Sequence, residues 1–133
     1  MAGAVKVDVD RAAVTAGAVV GAAVGAAAVV VAQVISSLSD LNASLPAYFV
    51  LLGGLGTGGW VAARHQPRSP LTHGALAAIT GLLIVVVVVV GVRLALGREQ
   101  ANPVSLVFHL LMASSAGIFG GYLAARRPMS GDR

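Results

Sequence analysis

Few side chains in this sequence can move a proton, hold a metal or carry charge into an apolar environment. Most of those that can lie at polar edges. His109 is the exception, six residues beyond Pro103 in an apolar run, about 9 Å along a helix at 1.5 Å per residue. An ionisable group at that depth is by default a functional candidate, able to relay protons or bind a ligand. Its helical neighbours Ser105, Ala113, Ala116 and Gly120 are small, which turns it toward the inside of a bundle. There it can also simply stay neutral and bond a carbonyl or a serine of a neighbouring helix. Gln33 is the second intramembrane polar candidate. With Asp40, Arg93, Arg98 and Glu99 it falls near the same end as His109, forming either a polar cluster or a solvated rim. His65 and His73 flank a short basic loop, and two histidines without a third ligand make a weak metal site.

The remaining chemistry is sparse. There is no cysteine, so disulfides, thiolate metal sites and thiol nucleophiles are excluded. No Walker lysine follows a glycine loop, and neither H-E-x-x-H nor G-x-S-x-G occurs. Gly54-Leu55-Gly56-Thr57-Gly58-Gly59 lacks the preceding strand of a dinucleotide fingerprint. No carboxylate lies in the middle of an apolar run, which argues against a rotary-ring subunit and a small multidrug exporter. The expectation is a non-enzymatic protein with no cofactor and no metal.

The elements that must position these residues are legible from composition. Of 133 residues, 57% are hydrophobic and 11% charged, against about 25% charged in soluble domains. Apolar stretches at 12–35, 46–63, 71–92 and 104–125 each approach the roughly 20 residues that cross a hydrocarbon core. The fold class expected is therefore all-α, an integral membrane four-helix bundle in one domain. Strands are a poor alternative, because a spanning backbone must satisfy its own hydrogen bonds and these runs lack barrel alternation. The first run is also too long for a secretory h-region of about 7 to 15 residues.

Charge orients the bundle. The net charge is +4, yet the basic residues are too scattered for a nucleic-acid surface. Seven of the nine Lys and Arg residues lie in the two tails and the middle loop. The positive-inside rule then places both termini in the cytoplasm and segments 36–45 and 94–103 outside. Trp60, Arg64, Tyr122, Arg126 and Arg127 become the cytoplasmic interface anchors, with the basic side chains also able to meet anionic lipid head groups.

Two helix ends echo each other: Gly58-Gly59-Trp60-Val61-Ala62-Ala63-Arg64 and Gly120-Gly121-Tyr122-Leu123-Ala124-Ala125-Arg126. Gly59 and Gly121 stand 62 residues apart, whereas the opening Thr15 and Thr72 stand 57 apart. Two duplicated helical hairpins follow, the second longer by five residues and related to the first by an axis along the membrane normal. Small residues set the packing. Gly17, Gly21 and Gly25 form one stripe of the first helix, Gly54 and Gly58 one of the second, and Gly117 and Gly121 one of the fourth, each allowing close backbone approach. The third helix differs, because the valine run 85–90 suits a lipid-facing surface.

The glycine-striped first helix, the Gly58-to-Arg64 ending and the basic loop leading to His73-Gly74-Ala75-Leu76 together resemble a family of small bacterial four-helix membrane proteins of unknown function. The resemblance covers roughly residues 12–125. It implies a bacterial cytoplasmic-membrane protein and supplies no catalytic residues. The function expected is an accessory or self-associating subunit packing through Gly/Ala helix faces, with the lipid bilayer, a homo-oligomer or a larger membrane complex as partners. The alternative is a small oligomeric channel or transporter with a glycine-lined interface and His109 near the outer vestibule.

Overall fold

The computed structural model describes residues 8–39, 43–95, 97 and 102–126. Arg127, Asp40, Arg98 and Glu99, considered above, lie outside the described residues. Four helices follow in order: α1 (Arg11–Leu38), α2 (Ser44–His65), α3 (Pro70–Ala95) and α4 (Pro103–Arg126). All four are long and apolar enough to cross a membrane, so the chain is an all-α membrane protein.

Each helix runs one to three residues past the expected boundaries. Apolarity marks what lipid touches, whereas capping groups decide where the hydrogen-bonded spiral stops. The Asp10 carboxylate accepts the N–H groups of Ala12 and Ala13 to open α1. Asn102 accepts the Val104 N–H at 2.9 Å ahead of Pro103, the first residue of α4. Beyond α3, Gly97 takes φ 62° and donates its N–H to the Leu94 carbonyl; that left-handed turn suits a residue without a Cβ.

α1 packs on α2 and α3, and α4 packs on the same two helices. α2 and α3 also touch, whereas among the described residues α1 and α4 do not. This corrects the expected symmetry. An axis exchanging α1 with α3 and α2 with α4 would carry the α2–α3 contact onto an α1–α4 contact, and none exists.

The end where α1 begins, α4 finishes and the α2–α3 loop lies, here the terminal end, is drawn tight by small residues. A methyl group at Gly17 would strike the Gly58 carbonyl, one at Gly58 the Gly17 carbonyl, and one at Gly120 the Gly56 carbonyl. Gly117 lies in the same way against Gly74 and Ala78, and Gly121 against the Pro70 carbonyl. Gly21 and Gly54 sit at each other's backbones, and Gly25 faces Leu51 and Val85. All seven stripe glycines thus pack within one chain.

α3 departs from the expectation in two ways. It carries its own small stripe, with His73, Gly74, Ala77, Ala78 and Gly81 all buried. Its valine run is divided rather than wholly lipid-facing: Val85 is buried, Val86 and Val89 pack against the core, and Val87 and Val88 are exposed. At about 100° per residue, a continuous run covers every face of a helix, so the neighbours decide which valines meet lipid. Other large apolar side chains on the outer surface, including Val30, Phe49, Leu111 and Phe119, match a bilayer surround.

Candidate functional site

Toward the opposite end, where α1 and α3 finish and α2 and α4 begin, here the hairpin end, the small residues give way. Val29, Tyr48, Val86 and Val89 occupy the facing positions, and a cavity of about 560 Å³ opens between the helices. Bulky side chains hold the backbones apart there, and valine is too short and too stiff at χ1 to fill the middle. The volume lies in the range of about 300–1,000 Å³ common for small-molecule sites.

All four helices line the cavity. Its floor is apolar, built from Leu51, Leu82 and Val85. Below them Leu55 and Ala113 are fully buried and close the axis of the bundle. The rim is polar, with Gln33, Ser44 and Asn102 exposed and Arg93 half-buried. The structure therefore brings Gln33, Arg93 and His109 to one cavity.

His109 is half-buried on its wall. Its Nδ1 bonds the Ser105 carbonyl of its own helix, one turn earlier, rather than a group on a neighbour. A carbonyl only accepts, so Nδ1 carries a proton and donates it. The Tyr48 ring stands edge-on to the imidazole, with centroids 5.3 Å apart and planes at 89°. The Tyr48 hydroxyl is buried without a hydrogen-bond partner among the described residues. Such an orphan carries a desolvation penalty of about 1–3 kcal/mol.

The second polar centre lies at the terminal end, on a residue expected only to flank the loop. His73 is 0% exposed. The main-chain N–H of Asp10 donates to its Nε2 at 3.0 Å. On the other side Nδ1 lies 2.9 Å from both the carbonyl and the hydroxyl oxygens of Ser69. A backbone N–H only donates and a carbonyl only accepts, so His73 is the neutral Nδ1–H tautomer. The signal for it was available: His73 shares the helical face of Ala77 and Gly81, the stripe overlooked on α3. Among the described residues no three potential metal ligands cluster, and exposed His65 bonds only the Val61 carbonyl of its own helix, at 2.8 Å.

The echoed helix ends take the same local form. The Arg64 guanidinium lies 4.7 Å from the Trp60 ring centroid, and that of Arg126 lies 4.6 Å from Tyr122. Each is an i, i+4 cation–π pair, a contact contributing about 0.5–1 kcal/mol at exposed sites. No protein-family model, curated protein or solved structure matches this chain.

Proposed function

We propose that this chain is a non-enzymatic, multi-pass protein of a bacterial cytoplasmic membrane that holds a hydrophobic ligand in the cavity at its hairpin end, acting alone or as an accessory subunit of a larger membrane complex. Both termini are cytoplasmic in this reading, so the cavity faces outward and His109 stands on its wall. The matching Trp60–Arg64 and Tyr122–Arg126 pairs support an origin by hairpin duplication, as in the small bacterial membrane proteins the sequence resembles.

The single observation that carries the reading is the cavity itself, polar at the mouth and apolar at the base. Binding is favoured over conduction through one chain, because Leu55 and the tight glycine contacts block the axis below it. The stripe glycines already face one another inside the chain. Association with a partner or a second copy would accordingly use the lipid-facing aliphatic ridges rather than the glycine faces.

Native mass measurement after purification in a mild detergent tests this. The expected result is the chain with one small hydrophobic molecule retained, with or without a foreign subunit. A bare chain, with no bound mass on either the parent or the cavity-filling variant Val89→Phe, would overturn it.

A further inference from the structure

We infer that each of the two echoed helix ends is a site for one anionic phospholipid, its phosphate held by the arginine and the top of its acyl chain lying against the aromatic ring. These sites are separate from the cavity, which opens at the other end of the bundle. The guanidinium groups of Arg64 and Arg126 each lie over the ring one turn earlier, 4.7 Å from the Trp60 centroid and 4.6 Å from that of Tyr122. Among the described residues no oxygen accepts a hydrogen bond from either guanidinium. A ring engages the flat face of the cation, which leaves the N–H donors around its edge available.

Helix direction explains the pairing. Side chains lean toward the N-terminus of their helix, so an arginine at a C-terminal end is turned back toward the membrane and onto residue i−4. α2 and α4 both finish at the terminal end. Arg11 opens α1 at this same end, where the same lean carries its side chain away from the bilayer, and Arg68 stands in the loop between α2 and α3. Neither of these two lies over a ring among the described residues.

Depth and charge select the ligand. The rise from residue i to i+4 is about 6 Å, and the head-group region extends about 5–7 Å beyond the hydrocarbon on each side. A ring at the edge of the hydrocarbon therefore sets its arginine level with the lipid phosphates. From each ring an exposed strip of the same helix runs on toward the bilayer middle, Ile118 and Phe119 before Tyr122, Gly53 and Thr57 before Trp60. A soluble phosphate would leave these strips unused, whereas a phospholipid covers them with its chain. One guanidinium offers a phosphate two parallel N–H bonds. Asp10, an acid at this end, commits its carboxylate to the N–H groups of Ala12 and Ala13 and neutralises neither arginine. A choline head group would bring a second cation to the guanidinium, and a glycerol head group does not.

Trp60 is the single tryptophan of the chain and sits in one of the two sites, so its fluorescence reports occupancy there. The full chain is placed in bilayers that mix phosphatidylcholine with phosphatidylglycerol, one lipid at a time carrying bromine on its chains to quench tryptophan on contact. Phosphatidylglycerol should be preferred at Trp60 by about fivefold, the scale of one basic side chain at a charged membrane surface. Arg64→Gln should abolish the preference and Arg64→Lys should recover part of it. Arg11→Gln and Arg68→Gln should leave it unchanged, as should millimolar glycerol phosphate in the buffer. Trp60→Phe combined with Tyr122→Trp moves the reporter to α4, where the same preference should depend on Arg126.

Equal quenching by the two lipids in the parent would overturn both sites, whatever the variants do. Equal losses in Arg64→Gln and Arg68→Gln would overturn the built site in favour of a diffuse basic surface. Relief of quenching by glycerol phosphate would overturn the phospholipid in favour of a soluble phosphate. A preference at Trp60 that does not reappear with Tyr122→Trp would overturn the α4 site.

Discussion

The main-chain N–H of Asp10 donates to Nε2 of His73 at 3.0 Å, joining positions 63 residues apart. The bond ties the first turn of α1 to the first turn of α3, and Ser69 holds the far side of the ring. Removing the side chain leaves a void and strips a buried donor of its acceptor. His73→Ala should therefore lower stability by about 2–4 kcal/mol, measured by reversible denaturant unfolding in micelles. A variant as stable as the parent would refute this role.

Asp10 caps α1 with the carboxylate that accepts from Ala12 at 2.9 Å and Ala13 at 3.3 Å. The Ala13 N–H above all, with that of Ala12 and the Gln66 side chain, lowers its pKa from 3.8 against a partial loss of hydration. A carboxyl lowered in the folded state stabilises fully above its unfolded value, and that contribution fades as pH falls through the lowered one. The melting temperature of the parent should thus decline below about pH 4. Asp10→Asn keeps an accepting oxygen and should show a shallower decline; identical acid limbs would contradict the assignment.

Glycine substitutions should divide by position. Gly58→Ala and Gly120→Ala place a methyl group against a backbone carbonyl of another helix. A backbone cannot rotate aside as a side chain does, so each should destabilise by about 1–3 kcal/mol. Gly53 has nothing within 4 Å of an added Cβ, and Gly53→Ala should be neutral or stabilise by up to about 1 kcal/mol. Thermal melts of the three variants side by side give the comparison, and equal losses would contradict it.

Tyr48→Phe removes a buried hydroxyl that lacks a partner and keeps the ring that stands against His109. In ligand-free micelles it should raise stability by about 1 kcal/mol. A loss of similar size would mean that the hydroxyl is bonded in solution.

The topology is open to labelling because the chain has no cysteine. Single cysteines at Ser39, beyond the end of α1, and Ser69, just before α3, should react with an impermeant maleimide from opposite faces of the membrane. Reaction of both from one face would contradict the four-span arrangement.

Much of the architecture is local and so can be read along the chain. A span needs a run of apolar residues, and a glycine stripe is a repeat within one helix. The polar candidates Gln33, Arg93 and His109 could likewise be assigned to one end by counting residues. His73 escaped because its environment comes from elsewhere: its acceptor role depends on Asp10, and its burial depends on α3 having a small-residue face of its own. The valine run misled for a related reason, since identical residues around a helix contain no record of which side has neighbours.

The sequence by itself determined that four helices form, that they are apolar enough to span, and that small residues draw them together. These follow from hydropathy and from spacing within single helices. Only the tertiary structure decided which helices touch, that α2 meets α3 while α1 and α4 stay apart, and that glycine contacts at one end leave a cavity at the other. Packing is a relation between faces of different helices, and an opening between them follows from how closely each pair of backbones can approach.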